Sequence, residues 1–245
     1  LAKIGRKHTY ADFLRAMDNA TAAGITNVNA DVIIGLPETH ADFTRTLTTV
    51  TSLPLTHLSM YALEIYPDTP MWQIRDECPT DEDYLADLYD EGVATFDAAG
   101  FARYETSNFA LPTFESKHNY SYWNLTPYIG VGAGAHSYFD GRRYFNKSDL
   151  RSYLEGVHSG NGGEIIEREK SVSDDKEEFV MLSLRTKNGV IFNEYKKKFG
   201  TDFFSDYEKG IKKSEEYLSV DSDKICILPK YFAVQNSIIC SVLQF

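Results

Sequence analysis

His118-Asn119-Tyr120-Ser121-Tyr122-Trp123 is the densest group of chemistry-bearing side chains in the chain. On a helical turn His118 and Tyr122 lie four residues apart and share a face. An imidazole beside flat rings suits a porphyrin, whose iron takes the ring nitrogen while the aromatics cover the macrocycle. The same residues also suit a packed aromatic cluster. Gly130-Val131-Gly132-Ala133-Gly134-Ala135-His136-Ser137 follows closely. Its alternate glycines let a backbone approach a ligand, but the spacing is not that of a dinucleotide fingerprint. Asp31, just ahead of Gly35-Leu36-Pro37, is an acid in an apolar strand. It either accepts bonds from a ribose or an amine, or is a hydrogen-bonded structural acid. Arg6, ahead of a helix, can grip a carboxylate through two parallel bonds or form a solvated basic turn. Tyr104-Glu105-Thr106-Ser107-Asn108-Phe109 gathers polar groups where a strand leaves a sheet.

These groups need a frame, and periodicity supplies it. Thr9 precedes a stripe of Tyr10, Phe13, Leu14 and Met17 that Gly24 ends, which predicts a capped helix. Val28 to Leu36 reads as a strand, and the consecutive Val32, Ile33 and Ile34 predict burial on both faces. Thr39, with Asp42 three residues on, caps a helix carrying Phe43, Leu47 and Val50. His57 to Glu64 reads as the next strand. Thr80 opens a long helix that Gly100 stops, and Ala102 to Phe109 reads as a third strand. This alternation predicts βα units around a parallel sheet. Binding groups then belong at the carboxyl ends of the strands: Asp31 to Pro37, Tyr61 to Ile65, and Glu105 to Phe109. Residues 111 to 147 break the rhythm, and a helix returns from Ser148 to Gly160. The charged segment from Glu164 to Glu178 predicts the passage into a second unit, placing domains at 1–163 and 164–245. Phe179 and Leu182, then Phe203, Tyr207 and Ile211, mark its helices. Ile225 to Leu228 and Tyr231 to Val234 predict a small hairpin around Pro229 and Lys230, a winged-helix-like plan.

Composition narrows the classes. The 245 residues carry a formal net charge of -11, which opposes non-specific binding to nucleic acid or anionic membrane. Cys78, Cys226 and Cys240 are odd in number and far apart, so a reduced, cytoplasmic setting is expected rather than a disulfide framework. No CxxC occurs, no apolar run approaches the ~20 residues of a membrane span, and no secretory signal opens the chain. The first residue is Leu1, and we expect further sequence ahead of it.

Taken in order, the motifs resemble a known run. They are Arg6-x-His8-Thr9, Asp31 with Ile34-Gly35-Leu36-Pro37, His57-Leu58-Ser59-x-Tyr61, Tyr104-Glu105-x-Ser107-Asn108-Phe109-Ala110, His118-Asn119-x-x-Tyr122-Trp123 and Gly130-x-Gly132-Ala133-Gly134-Ala135-His136-Ser137. The run is similar to that of the HemW-type radical SAM family, relatives of oxygen-independent coproporphyrinogen III oxidase. The resemblance covers residues 1 to about 155 strongly and the remainder weakly. It implies an α/β fold: part of a radical SAM (β/α) barrel with parallel strands, then a small α+β winged-helix-like C-terminal domain. It implies S-adenosylmethionine at Arg6, Asp31, Glu64, Gly132, Gly134 and His136, and haem at His118, Asn119, Tyr122 and Trp123. In the family a [4Fe–4S] cluster sits on a CxxxCxxC loop. That loop is absent here, so the chain is expected neither to hold the cluster nor to cleave S-adenosylmethionine. The implied role is binding haem and passing it to acceptor proteins at the membrane. The alternative is oxidation of coproporphyrinogen III. Where the family has a Thr-x-x-Gly turn between its last strands, this chain has Leu228-Pro229-Lys230-Tyr231, which predicts a differently turned wing.

Overall fold

A computed structural model of the chain describes residues 1–160, the backbone of 164–166, and 171–244. It divides into two compact units, Leu1–Glu115 and Ser116–Phe245. The boundary expected at 163/164 lies outside the described residues.

The first unit begins with α1 (Tyr10–Ala22), where Thr9 and Asp12 form a reciprocal capping box. Only Met17 of its expected stripe is fully buried, and Tyr10 is exposed. Strand β1 (Asn29–Ile34) follows, then α2 (His40–Ser52), capped by Thr39 and Asp42 and burying Phe43, Leu47 and Val50. After β2 (His57–Ala62) comes α3 (Glu82–Ala98). Its cap is Asp81, not Thr80, because the Asp81 carboxylate reaches the backbone N–H groups of both Asp83 and Tyr84.

Strands β1 and β2 pair in parallel, as expected. The third strand does not. It splits into β3 (Ala102–Arg103) and β4 (Asn108–Ala110), which fold back on each other, and β4 runs antiparallel to β2. The polar Tyr104–Ser107 segment makes the reversal, with Ser107 N–H donating to Glu105 Oε1 at 3.3 Å. The sheet order is β1-β2-β4-β3.

Burial alternates along β1, which corrects the reading of a strand covered on both faces. Ala30, Val32 and Ile34 join Leu58, Met60 and Phe109 in a core with Phe43, Leu47, Leu88 and Phe96. Each large side chain there contributes about 1.5–3 kcal/mol of burial. Gly92 lets α3 approach, since a β-carbon there would sit 2.4 Å from Met60 Sδ. Asn29 and Asp31 lie on the opposite face and are exposed. Asp31 is therefore not a buried acid: period-two geometry sends it away from the core that claims its neighbours.

The second unit opens with α4 (Lys117–Trp123). A hairpin of β5 (His136–Phe139) and β6 (Arg142–Asn146) follows. Asp140 and Gly141, both at positive φ, make its two-residue turn. Next come α5 (Leu150–His158), capped by Asp149, and β7 (Glu164–Ile166), which pairs with β6. Then α6 (Val172–Ser183), β8 (Val190–Ile191), α7 (Phe192–Phe199), α8 (Phe203–Lys213), β9 (Leu218–Val220), β10 (Lys224–Ile227) and α9 (Gln235–Leu243) build a packed α+β module. Its small sheet has the order β8-β10-β9. Val180, Leu184, Tyr195, Phe203, Ile225, Ile227 and Val242 fill its core. The hairpin lies earlier than predicted. Its arms are β9 and β10, and Tyr231 to Val234 belongs to a 3₁₀ turn, Pro229–Val234. Pro229 has no N–H to give a ladder and a φ suited to starting a helical turn, so Leu228–Tyr231 is not the wing turn. No described helix is long and apolar enough to cross a membrane.

Candidate functional site

The polar face of the first unit's sheet is set by register. Asn29 pairs with His57, Asp31 with Ser59, and Ser59 with Asn108, so all five side chains share the face turned from the core. Asp31 is exposed, whereas His57, Ser59 and Asn108 are buried. Asn29 Nδ2 donates to Asp31 Oδ1 at 2.8 Å. Asn29 Oδ1 lies 2.7 Å from His57 Nδ1 and also accepts from Ser59 Oγ at 3.2 Å. His57 Nε2 lies 2.7 Å from the buried Tyr104 hydroxyl. Burial pushes the His57 imidazole below its ordinary pKa, with the charge of Asp31 pulling weakly the other way. Asn108 Oδ1 is buried with no partner among the described residues, an acceptor that a ligand's donor can satisfy.

Beside β1, at the edge of the sheet, Asp31 lines a cavity of 420 Å³ with His8, Tyr10, Phe13, Arg45 and Thr49 among its walls. Arg6 and Glu64 do not line it. Arg6 is exposed just after the left-handed Gly5, and Glu64 is exposed and accepts from the Tyr66 hydroxyl. Glu105 is buried in the turn between β3 and β4.

In the second unit Ser116 caps the short helix that holds the aromatic group. His118 and Tyr122 do share a face. Their rings meet edge to face at 4.9 Å, and the Tyr122 hydroxyl lies 3.1 Å from His118 Nε2. Tyr128 extends the array, 4.8 Å from Tyr122. His118 and Tyr122 are exposed, whereas Asn119 and Trp123 are half-buried. The glycine loop is pinned from its own side. Gly130 N–H donates to Ser137 Oγ at 2.9 Å, Asn146 Nδ2 donates to Gly132 O at 2.8 Å, and Gly132 N–H donates to the Tyr153 hydroxyl at 3.3 Å. A β-carbon at Gly130 would sit 2.1 Å from His136 O, and Gly132 and Gly134 hold φ of 108° and 71°. The loop's own geometry thus accounts for all three glycines. His136 stacks on Phe145 at 5.2 Å and is exposed.

Asn29 was not singled out in the sequence, and His57 and Tyr104 entered only as members of longer motifs with no role of their own. Their signal in the sequence is a polar residue at every second position of two otherwise apolar strands, Asn29-x-Asp31 and His57-x-Ser59.

Two relatives align with most of this chain. Heme chaperone HemW of Lactococcus lactis is 32% identical over 97% of the chain and 64% of the relative. Heme chaperone HemW of Bacillus subtilis is 32% identical over 82% of the chain and 54% of the relative. The chain is a homologue of the HemW proteins. It spans just under two thirds of the Lactococcus HemW and about half of the Bacillus one. The HemN C-terminal domain family matches residues 172–227, within the α+β module. A solved structure titled as coproporphyrinogen III oxidase (HemN) from Escherichia coli, a radical SAM enzyme, superposes with a TM-score of 0.80. It is 18% identical and covers 98% of this chain and 60% of that one, which establishes the fold as part of the HemN radical SAM architecture.

That family implies S-adenosylmethionine and a [4Fe–4S] cluster in the full-length proteins. The exposed Asp31 carboxylate and the orphaned Asn108 Oδ1 fit a ligand rich in hydroxyl and amine donors. The cysteines do not fit the cluster. Cys78 is buried in the first unit, while Cys226 and Cys240 lie in the second, on β10 and α9, and no two share a local loop.

Proposed function

We propose that this chain binds haem as cargo on the exposed face of His118 and Tyr122, in the manner of a HemW-type carrier, and passes it to acceptor proteins. The observation that carries the reading is the solvent-facing imidazole joined edge to face to Tyr122 and, through it, to Tyr128. His118 supplies a ring nitrogen for iron once the weak 3.1 Å contact to Tyr122 is released. Tyr122 offers flat apolar area to the macrocycle, and we assign Asn119 and Trp123, half-buried on the same helix, to the haem site by resemblance. The names of the relatives favour the same cargo. The coproporphyrinogen-oxidising alternative is favoured by fold likeness alone.

In the first unit we assign Arg6, Asp31 and Glu64 to S-adenosylmethionine. Gly132, Gly134 and His136 of the second unit carry the same assignment by resemblance. A cluster requires cysteines other than the three here. The site of action we propose is the cytoplasm, with acceptors that include membrane proteins and exclude nucleic acid, consistent with the net charge of -11. Optical titration with haem tests the cargo. The expected result is a saturable shift of the haem absorption band, with affinity about tenfold lower in His118→Ala. Equal affinity in the variant removes His118 from the site.

A further inference from the structure

The bonds around Asp31 have a direction that their chemistry fixes. An ionised carboxylate only accepts, so the group that meets Asp31 Oδ1 at 2.8 Å must be the Asn29 NH₂. The amide oxygen of Asn29 is thereby turned toward His57 Nδ1 and Ser59 Oγ. An amide oxygen also only accepts, so the proton of the neutral imidazole sits on Nδ1. The lone pair on Nε2 then faces the Tyr104 hydroxyl at 2.7 Å, and Tyr104 must donate. The result is one series of donors, Tyr104 to His57 to Asn29 to Asp31, that starts at a fully buried tyrosine and ends on an exposed acid. A strand ornament would need only the Asn29–Asp31 contact. The buried histidine and tyrosine behind it lock the amide, because turning it would set two acceptors against each other at Asp31 and two donors against each other at His57.

We propose that Asn29 and His57 are positioning residues for Asp31. The series backed by Tyr104 holds one carboxylate oxygen so that the other is presented to the vicinal hydroxyls of a ribose. This rests on the assignment of Asp31 to S-adenosylmethionine and adds to it only the residues that orient the acid. Such pre-orientation strengthens binding because the ligand does not have to order the acid.

The test uses the 245-residue chain and two readouts. Long-range ¹H–¹⁵N spectra of the histidine rings report the tautomer without any ligand. His57 is expected as the Nδ1–H form, and Asn29→Leu is expected to convert it to the Nε2–H form. Calorimetric titration with S-adenosylmethionine is expected to give an affinity about tenfold lower for Asn29→Leu, the worth of one well-placed hydrogen bond. Tyr104→Phe, which keeps the ring and removes only the donor, is expected to lose a few-fold. An Nε2–H tautomer in the parent chain overturns the series itself. The expected tautomer with equal affinities in parent and both variants overturns the positioning role. The expected tautomer with no S-adenosylmethionine binding by the parent overturns the ligand assignment of Asp31 and the positioning role with it.

Discussion

Two aspartates, one in each unit, are held in opposite ways. Asp206 of α8 is wrapped: a single oxygen, Oδ2, accepts from Lys176 Nζ at 2.7 Å, Tyr195 OH at 2.7 Å and Thr201 Oγ1 at 2.6 Å. Partial burial pushes its carboxyl up, but hydrogen bonds from Lys176, Thr201 and Tyr195 outweigh that and hold its pKa at about 2. Asp31 of β1 accepts from one side-chain amide and stands exposed. The first pattern ties α6, α7 and α8 together and leaves little for a ligand. The second is supported from behind by buried donors and keeps its acceptor capacity toward solvent. The number and placement of protein donors therefore separates an acid that builds the fold from one disposed to bind.

The sharpest way to break this contrast is to delete each acid. Asp206→Ala is expected to cost the second unit about 3 kcal/mol, since it leaves a half-buried lysine and a buried tyrosine without their acceptor. Asp31→Ala is expected to stay within about 0.5 kcal/mol of the parent. Urea unfolding checks both, and similar losses at the two sites would dissolve the distinction. Acid gives the next largest effect. A carboxyl held at about 2 in the folded state and near 3.8 when unfolded stabilises the protein above the unfolded value. That contribution, roughly 2 kcal/mol, fades as pH falls from about 4 through 2. The denaturation midpoint followed from pH 5 to 2 should show it, and Asp206→Asn should flatten that part of the curve. The smallest effect sharpens the role of the helix that brings Lys176. Ser171→Ala removes the capping box at the start of α6 and is expected to cost about 1 kcal/mol, read as a lowered melting temperature. A melting temperature unchanged by this substitution would mean that the helix start contributes nothing to the clamp.

Much of this frame was legible in the sequence because its signals are local. Thr39 with Asp42 marks a helix start whatever lies around it, and Phe43, Leu47 and Val50 then face the core by period alone. His118 and Tyr122 met as their spacing required. What was misread depends on distant partners. Ala102 to Phe109 has strand-like residues throughout, yet β4 pairs with β2 in the reverse sense, and nothing local announces that reversal. Val32, Ile33 and Ile34 suggest burial on both faces, although along β1 burial alternates with exposure. In the second unit Tyr231 to Val234 has β-like composition, but Pro229 sets it into a helical turn. The Tyr104–His57–Asn29–Asp31 series joins β1, β2 and the turn between β3 and β4, so its members were visible while their connection was not.

The cargo reading is tested most directly by pulsed EPR of the ferric haem-loaded chain labelled with ¹⁵N-histidine. The account predicts a strong hyperfine coupling from one directly bound imidazole nitrogen, absent in His118→Ala and retained in His136→Ala. A coupling that survives loss of His118, or no imidazole coupling in the parent chain, would contradict it.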